Sequence, residues 1–408
     1  MDSYSEIIAF ARNHLDEDPL KLLLQQKRYP SVDLKLVAQQ LEGQKQALVK
    51  WPTLAYCTDY FYPPKLNREQ SSSEVVARYK ALLFQSLGGG TLADLTGGMG
   101  VDSYFIAQWA SYVDYFELNP ILATIAERNF NVLGQSNIAC HQGDSIALLQ
   151  GSGVHYDMIL LDPARRDENG NKVVAFENCT PNILRCLDLL LDRCRYLMIK
   201  ASPMVDIHQA LCQLPQTVQV HIVALRNECK EVLFLLQSGN GADIPSICCL
   251  NLSSNSLGTL NLAAQAKCFS YPQESSASPT FATQIGHGDY LYEPNAALMK
   301  GGCFNLISQC YGLDKLSCNT HLYTSSRFLP NFPGRIFQVI EEVSINSKKL
   351  AHLLPEHKVH VISRNYPLTS DQLQKKLKLS EGGSLFLIAA TLSSTPRVWL
   401  CQRCNVSP

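Results

Sequence analysis

Glycines and acidic residues stand at the ends of short apolar runs in the first half of this 408-residue sequence. The run at 92–95 includes Asp94 and leads into a turn that contains Thr96, Gly97, Gly98 and Gly100. Glycine lets a ligand approach the main chain closely, and a helix that follows such a turn offers free N–H groups and a positive dipole end. The turn can therefore bind a ligand, although glycines at strand–helix turns also serve packing alone.

Three further apolar runs end in an acidic residue or lead to one: Glu117, Asp144 and Asp162. Glu117 follows the glycine turn at roughly the spacing where an acid accepts hydrogen bonds from a ribose in a nucleotide-binding βαβ unit. In a doubly wound sheet, the carboxyl ends of the parallel strands meet at one edge, and ligands bind there. The pattern therefore predicts one binding edge that gathers the glycine turn and the three acids.

Strands and helices alternate along the part of the chain that carries these residues. Apolar runs predict strands at 92–95, 112–117, 137–141, 156–161, 196–200, 218–225 and 231–236. Helical spacing predicts helices at about 72–86, 103–110, 121–132 and 181–193. Ser71 and Glu74 have the spacing of a capping box for the first of these helices. The alternation predicts an α/β fold with a mostly parallel sheet that the last two strands complete as an antiparallel pair.

This ordered set of motifs resembles the class I S-adenosylmethionine-dependent methyltransferases, which have a Rossmann-like seven-stranded sheet. The resemblance implies that S-adenosylmethionine is the cofactor and that its methionine part is surrounded by Asp94, Thr96, Gly97, Gly98 and Gly100. It also implies that Glu117 holds the ribose hydroxyls and Asp144 the adenine amino group. Ser72, Ser73 or Arg78 is expected to line the carboxylate end of the cofactor. The glycines crowd together more than in a dinucleotide fingerprint, which disfavours a dehydrogenase.

The segment Asp162-Pro163-Ala164-Arg165 supplies the predicted catalytic residues Asp162, Pro163 and Arg165. Amino methyltransferases carry at this place an Asp or Asn, two prolines and an aromatic residue, which grip an exocyclic amine. Ala164 and Arg165 depart from that pattern, so we expect Asp162 to orient the acceptor while Arg165 stacks on a base or pairs with a phosphate. The alternative is that Arg165 pairs with Asp167 or Glu228. Lys200, at the end of the next predicted strand, is expected to have a structural role, because it would need a strongly lowered pKa to act as a general base.

A second chemistry that uses a similar motif is methylation of uridine C5. That chemistry needs a cysteine nucleophile at the end of the next strand, because C5 becomes nucleophilic only after a thiolate adds to the ring. This chain has Ala201-Ser202-Pro203 there. The sequence therefore disfavours C5 as the target and favours a base nitrogen.

The C-terminal part has a small α+β pattern, which includes a predicted helix at 370–377. Its segments Tyr292-Glu293-Pro294-Asn295, Phe332-Pro333-Gly334-Arg335 and Arg364-Asn365-Tyr366-Pro367 resemble the ferredoxin-like plus THUMP-like module of RNA-modifying enzymes. Residues 281–408 contain 13 Lys and Arg against 8 Asp and Glu, whereas the whole chain has a net charge of −1. Candidate phosphate contacts are Arg335, Arg364, Lys375, Lys376 and Lys378. Tyr366 and Phe332 are candidates for stacking on bases, although an aromatic residue beside proline is more often part of a packed turn.

The domain organisation that follows has four parts. We predict an N-terminal helical domain at 1–70, a class I methyltransferase domain at 71–240, a ferredoxin-like domain at 281–340 and a THUMP-like domain at 341–408. The fold class is α/β, with an N-terminal helical segment, a Rossmann-like seven-stranded domain and a C-terminal α+β THUMP-like module.

Composition narrows the class of protein further. The 46% hydrophobic and 17% charged content is typical of a globular protein. The N-terminal residues lack the basic start and the apolar core of a signal peptide, and no apolar run in the sequence is long enough for a membrane span, so a cytoplasmic protein without a membrane partner is expected. The 15 cysteines are scattered, which favours reduced core thiols. Cys401 and Cys404 have a zinc-like spacing without a second pair nearby, so no metal site is predicted.

The sequence thus predicts a methyltransferase that modifies structured RNA, tRNA or rRNA, at a base nitrogen, with RNA bound by the C-terminal module. Two alternatives stay open. One is that the protein methylates a small molecule or a protein. The other is that it is a non-catalytic RNA-binding protein that retains the cofactor fold. The oligomeric state does not follow from the sequence.

Overall fold

The computed structural model describes residues 3–164, 176–239, 241–253, 266–346, 350, 352–354 and 357–404. The chain divides into two compact units. The first comprises residues 1–226, 230–245 and 252–266, and the second comprises residues 227–229, 246–251 and 267–408. Among the described helices, none combines the length and the apolar character that crossing a lipid bilayer requires.

The first unit begins with short helices, as predicted for the N-terminal segment. They are α1 (Ser3–Arg12), α2 (Pro19–Leu23), α3 (Leu34–Lys50), α4 (Pro52–Ala55) and α5 (Lys65–Gln70). Asp18 and Asp33 begin α2 and α3 by accepting hydrogen bonds from N–H groups of the first turn. Ile7, Leu22 and Val37 pack together in the core of this region. Burial of one apolar face of each helix therefore stabilises the segment.

The rest of the first unit is an α/β layer structure. Its helices are α6 (Glu74–Ser86), α7 (Val101–Ala107), α8 (Pro120–Val132), α9 (Ser145–Ser152), α10 (Ile183–Asp192) and α11 (Ile207–Gln213). Its strands are β1 (Gly90–Asp94), β2 (Ala110–Glu117), β3 (Ile138–Gln142), β4 (Tyr156–Leu161), β5 (Cys194–Ala201), β6 (Thr217–Leu225) and β7 (Glu228–Gln237).

These seven strands lie in the order β3-β2-β1-β4-β5-β7-β6. The first five are parallel, and β7 runs antiparallel to β5. The central strands are buried on both faces, which explains why β4 and β5 read as continuous apolar runs. The predicted Rossmann-like sheet with an antiparallel completion is confirmed. Its topology places the carboxyl ends of β1, β2, β3 and β4 at one edge.

The predicted capping box at Ser71 is wrong. Ser71 is the C-terminal cap of α5, and its hydroxyl donates to the carbonyl of Arg68. Ser73 begins α6 without a side-chain cap bond. The carboxylate of Glu74 instead accepts hydrogen bonds from the backbone N–H and the hydroxyl of Thr53, at 2.8 and 2.6 Å. Tertiary partners from α4 therefore replace the local cap.

The second unit is mostly antiparallel sheet. Its strands are β8 (Ser246–Leu252), β9 (Lys267–Phe269), β10 (Thr280–Phe281), β11 (Tyr290–Pro294), β12 (Asp314–Ser317), β13 (Thr320–Ser325), β14 (Gly334–Glu342), β15 (His360–Arg364), β16 (Leu385–Leu392) and β17 (Thr395–Arg403). Its helices are α12 (Tyr271–Ser276), α13 (Ala296–Gly301), α14 (Phe304–Tyr311) and α15 (Ser370–Leu377). Eight of the strands form one sheet in the order β10-β12-β13-β11-β14-β17-β16-β15.

Both faces of this eight-stranded sheet carry apolar clusters. Successive residues of one strand belong to different clusters: Ile388 and Trp399 to one, Leu387 and Leu400 to the other. Because neighbouring residues of a strand point to opposite faces, the sheet is buried on both sides in its centre. The predicted α+β pattern is confirmed, and the predicted helix at 370–377 matches α15.

One cysteine pair corrects the expectation that all thiols are reduced. Cys248 and Cys268 form a disulfide, and they face each other in the antiparallel pair of β8 and β9. Among the described residues, which include all the cysteines, the other 13 form no disulfide. Sequence spacing did not predict the pair because only the strand register brings the two residues together.

Candidate active site

The glycine turn between β1 and α7 is fixed against β2. The hydroxyl of Tyr115 donates to the carbonyl of Gly98 at 2.6 Å, and the N–H of Gly97 donates to the carbonyl of Phe116 at 2.9 Å. A Cβ at Gly97 would overlap the Tyr115 ring, and one at Gly100 would overlap the ring of Phe130. These two glycines are therefore required by close packing, which holds the turn at the sheet edge.

Asp94 and Thr96 connect this turn to the next strand. Both oxygens of Asp94 accept hydrogen bonds, from the N–H of Thr96 at 3.2 Å and from the hydroxyl of Ser103 at 2.5 Å. The hydroxyl of Thr96 accepts from the N–H of Asp162 at 2.6 Å. Burial raises the pKa of Asp94 to about 7, partly opposed by the hydrogen bond from Ser103. Thr96 thus brings the β1 turn and the end of β4 into direct contact.

Glu117 and Asp144 lie at the neighbouring strand ends. One carboxylate oxygen of Glu117 accepts from the N–H of Gly98 at 2.8 Å, and the other from the N–H of Asn119 at 2.7 Å. The N–H of Gly143 donates to the carbonyl of Glu117 at 3.0 Å, which places the start of α9 beside Glu117. Asp144 is exposed and caps α9. The structure therefore places the Glu117 carboxylate at the glycine turn. The hydrogen bond from Gly143 places the backbone of the adjacent residue, Asp144, close to that of Glu117.

Asp162 stands at the end of β4 beside a buried lysine. The ammonium group of Lys200, at the end of β5, donates to the Oδ2 atom of Asp162 at 2.6 Å. Pro163 is buried, and the N–H of Ala164 donates to the carbonyl of Thr180 at 2.8 Å. Arg165 and Asp167 lie outside the described residues. The carboxylate of Asp162 thus has a fixed cationic neighbour that the sequence did not assign to it.

Lys200 belongs to a chain of buried charges. Its ammonium group lies 3.9 Å from the carboxylate of Glu231 on β7, and the ammonium of Lys80 on α6 lies 3.3 Å from that same carboxylate. Lys80 also pairs with Asp102 on α7 at 2.7 Å. We call Asp102, Lys80, Glu231, Lys200 and Asp162 the interior charge chain. It runs from the first turn of α7, next to the glycine turn, to the predicted acceptor side.

The interior charge chain changes the proton affinity of its members. Burial raises the pKa of Glu231, and Lys80 and Lys200 oppose this. Burial would also raise the pKa of Asp102, but the same two lysines outweigh it and hold the pKa below its usual range. Burial lowers the pKa of Lys200, yet the carboxylates of Asp162, Glu231 and Asp102 outweigh burial, so the pKa is raised. Lys200 is therefore a cation at neutral pH and is not a general base.

The residues expected at the carboxylate end of the cofactor separate into two groups. Ser72 donates to Asp102 at 2.9 Å and accepts from Lys80 at 2.7 Å, so it adjoins the interior charge chain. Arg78 instead pairs with Glu74 at 2.9 Å and lies over the ring of Phe105. Ser73 begins α6. Of the three, only Ser72 is hydrogen-bonded to the interior charge chain among the described residues. Arg78 forms an ion pair with Glu74 instead.

Sequence reasoning missed Lys80, Asp102 and Glu231, and it gave Lys200 only a structural role. A signal was nonetheless present. Lys80 interrupts the buried face of α6, and Glu231 opens an otherwise apolar run in β7. Charged residues at apolar positions are almost never buried unless they are paired. Two such interruptions of opposite sign predict a buried pair, although not its partners.

In the second unit, the three C-terminal motifs meet at one buried carboxylate. Arg335 and Arg364 pair with the two oxygens of Glu293, at 2.5 and 2.8 Å. Phe332 is buried against the ring of Tyr292. We call Glu293, Arg335 and Arg364 the arginine clamp. Both arginines thus have an internal partner, and the packed-turn alternative holds for Phe332.

The other predicted contacts of the second unit lie at its surface. Lys375 and Lys376 are exposed on α15, and the exposed Lys378 ends that helix. Tyr366 is partly buried at the edge of an apolar cluster. Lys375, Lys376 and Lys378 are therefore the predicted phosphate contacts that remain most accessible.

The strand order, the reversed β7 and the polar groups at one sheet edge define a class I methyltransferase fold. Two family models match the C-terminal part: a ferredoxin-like domain at 290–333 and a THUMP domain-like region at 334–403. A "putative methyltransferase" from Porphyromonas gingivalis W83 is 30% identical, with 98% of each chain covered and a TM-score of 0.84. This chain belongs to the same family as that protein.

Two other similar structures align with less than half of the chain. An O-methyltransferase from Bacillus cereus in complex with SAH is 12% identical, with 48% of this chain and 96% of the other covered and a TM-score of 0.35. An rRNA methylase from Streptococcus thermophilus is 14% identical, with coverages of 39% and 94% and a TM-score of 0.30. No curated protein matches the sequence.

Proposed function

We propose that this protein is an S-adenosylmethionine-dependent methyltransferase that modifies a base nitrogen in structured RNA, tRNA or rRNA. The observation that carries the proposal is the hydrogen bond from the N–H of Asp162 to Thr96. It joins the predicted acceptor-side carboxylate to the predicted cofactor turn. Membership of a family that contains a methyltransferase-named protein with a TM-score of 0.84 supports the same activity.

The residues at the sheet edge fit the cofactor chemically. Glu117 offers two carboxylate oxygens beside Gly98, which suit the two hydroxyls of a ribose. Asp144 follows at the next strand end and suits the amino group of adenine. The Oδ1 atom of Asp102 is buried without a hydrogen-bond partner among the described residues, so it suits a cationic donor. Asp94, Thr96, Gly97, Gly98 and Gly100 shape the turn that holds the methionine part.

Bound S-adenosylmethionine supplies an electrophilic methyl group, and the protein supplies position. Asp162 accepts a hydrogen bond from an N–H of the acceptor nitrogen and keeps the lone pair of that nitrogen directed at the methyl group. Pro163, buried at the end of β4, fixes the direction of the chain there. Positioning of this kind accounts for most of the catalysis that such a transfer needs. Arg165 is proposed to stack on the base or to pair with a phosphate.

We expect wild-type protein to transfer labelled methyl groups from S-adenosylmethionine to total cellular RNA. Asp162→Ala should lower the rate by about 10²–10³-fold, since it removes a group that acts in the transition state. It should leave the affinity for S-adenosylmethionine nearly unchanged. Mass spectrometry of the RNA nucleosides identifies the methylated atom. Label in protein or small molecules but not in RNA, or full activity of Asp162→Ala, would contradict the proposal.

The proposed RNA contact is the lysine group on and after α15. Phosphate contacts supply affinity without sequence choice, and each one steepens the loss of affinity with salt. Replacing Lys375, Lys376 and Lys378 by Gln should weaken RNA binding and reduce the log–log salt slope by about 2–3. A matched control replaces the exposed residues Lys21, Lys27 and Arg28 by Gln, the same change in charge in the N-terminal helical region. Equal effects of the two triple variants would refute the contact.

A further inference from the structure

Asp162 is not held by its own strand alone. Its Oδ2 atom lies 2.6 Å from the ammonium of Lys200, whose side chain is 7% exposed. A carboxylate that must face a substrate at a strand end is free to adopt several rotamers unless a neighbour fixes it. A buried cation at this distance removes that freedom, because turning the carboxylate away would leave the ammonium without its closest partner.

Lys200 is itself fixed from the other side. Glu231 lies 3.9 Å from Lys200 and 3.3 Å from Lys80, and its side chain is 3% exposed. Lys80 is wholly buried, and its ammonium group also pairs with the carboxylate of Asp102 in the first turn of α7. The three inner charges, Lys80, Glu231 and Lys200, therefore each have an opposite neighbour on each side. The interior charge chain ends at two places that the proposed function uses. One end is Asp102, next to the glycine turn, and the other is Asp162, the proposed acceptor-side carboxylate.

We propose that Lys200 and Glu231 are positioning residues for methyl transfer. Lys200 holds the Asp162 carboxylate in one orientation toward the acceptor nitrogen, and Glu231 holds Lys200 in place. Neither touches the substrate or the cofactor. The inference rests on the proposed function of Asp162, and it adds the residues that make that carboxylate a fixed acceptor rather than a mobile one.

The proposal predicts a separation of turnover from binding. In Lys200→Met, kcat for RNA methylation should fall about 100-fold, the order expected when a reacting group is misplaced by an ångström. The KM for RNA and the Kd for S-adenosylmethionine should change less than about threefold, because Lys200 is proposed to contact neither RNA nor the cofactor. Lys200→Arg keeps the charge and should retain more activity than Lys200→Met. Glu231→Gln should lower kcat less than Lys200→Met does, because the ion pair between Lys200 and Asp162 remains in that variant.

A matched control separates positioning from stability. Arg68 is a buried cation in the same unit, 3.2 Å from Glu42 on the N-terminal helices. Arg68→Met should destabilise the protein without lowering kcat. If Arg68→Met lowers kcat as much as Lys200→Met does, loss of stability explains both and the positioning role is wrong.

A double-mutant cycle tests the pairing without any need for turnover. Lys200→Met, Asp162→Asn and the double variant are compared by urea unfolding of the full chain in a Trp399→Phe background, in which Trp51 and Trp109 of the first unit report. We expect the two changes to be coupled by at least about tenfold in the unfolding equilibrium constant. Additive effects, or a Lys200→Met enzyme with kcat within threefold of wild type, would overturn the proposal. A wild-type protein that transfers no methyl group would instead contradict the proposed function, while the cycle would still decide the pairing.

Discussion

Each unit of the molecule holds one buried glutamate between two cations, but the cations differ in burial. In the interior charge chain, Glu231 lies between Lys80 and Lys200, whose side chains are 0% and 7% exposed. In the arginine clamp, Glu293 lies between Arg335 and Arg364, whose side chains are 28% and 43% exposed. The same arrangement of charges is therefore placed inside one unit and near the surface of the other.

The difference indicates two uses of the arrangement. A guanidinium has five donors, so an arginine can bind Glu293 and still reach water. The arginine clamp can thus tie β11, β14 and β15 together without desolvating its cations. Lysines in the interior have no such alternative, and their field acts on Asp102 and Asp162 nearby. We infer that the arginine clamp stabilises the sheet of the second unit, whereas the interior charge chain positions carboxylates of the candidate active site.

The largest effect should come from removing each glutamate. Glu231→Ala leaves two buried ammonium groups without their shared partner and should lower the free energy of unfolding by about 3–5 kcal/mol. Glu293→Ala leaves two arginines that water can reach, so a loss of about 1–2 kcal/mol is expected.

Tryptophan fluorescence can report the two units separately in urea unfolding. Trp51 and Trp109 belong to the first unit and Trp399 to the second. The exposed residues Glu127 and Glu341 provide matched Glu→Ala controls, one in each unit. Equal losses for Glu231→Ala and Glu293→Ala would remove the distinction between chain and clamp.

A second effect should appear in the pH dependence of stability at Asp94, whose pKa is raised mainly by burial and further by the charges of Asp102 and Asp162. The folded state keeps a proton on Asp94 up to about pH 7, whereas an ordinary carboxyl loses it near 3.8. Folding therefore becomes less favourable as the pH rises from about 4 to 7, by up to about 4 kcal/mol at 1.36 kcal/mol per pKa unit.

The Asp94→Asn variant lacks this titration and provides the reference. Relative to it, wild-type protein should lose stability between about pH 4 and 7 and stay level above. Urea unfolding of the first unit at several pH values measures the difference. A constant difference over this range would show that Asp94 titrates normally in the folded protein.

The smallest effect should be the response to salt. Screening weakens exposed pairs more than buried ones. Raising NaCl from about 0.1 to 1 M should therefore reduce the destabilisation by Glu293→Ala by about 0.5 kcal/mol and leave that of Glu231→Ala nearly unchanged. The reverse order would contradict the assignment of the interior position to the lysines.

The sheet edge was predictable from the sequence because each strand is a short apolar run that ends in a turn or an acid. Asp94, Glu117 and Asp162 therefore lie where the pattern placed them, at the ends of β1 and β2 and directly after β4. Their roles toward a cofactor and an acceptor stay predictions. The helix at 370–377 was equally visible, since Thr369 forms a local capping box with Gln372.

The interior charge chain was not predictable because its contacts span the sequence. Lys80 and Glu231 are 151 positions apart, and only the packing of α6 against the sheet brings them together. The error at Ser71 has a similar origin, since Thr53 supplies the partners of Glu74 from 21 positions away. Local spacing predicts local bonds, and tertiary contacts replaced them at both places.

Calorimetric titration with S-adenosylmethionine tests the central claim, that the cofactor binds at the sheet edge through Glu117. We predict that wild-type protein binds it and that Glu117→Ala weakens binding by about 10–100-fold, as expected for loss of hydrogen bonds to a charged group. The control Glu127→Ala, on the exposed face of α8, should bind as wild type does. Equal affinity of Glu117→Ala and wild type, or no binding by either, would contradict the account.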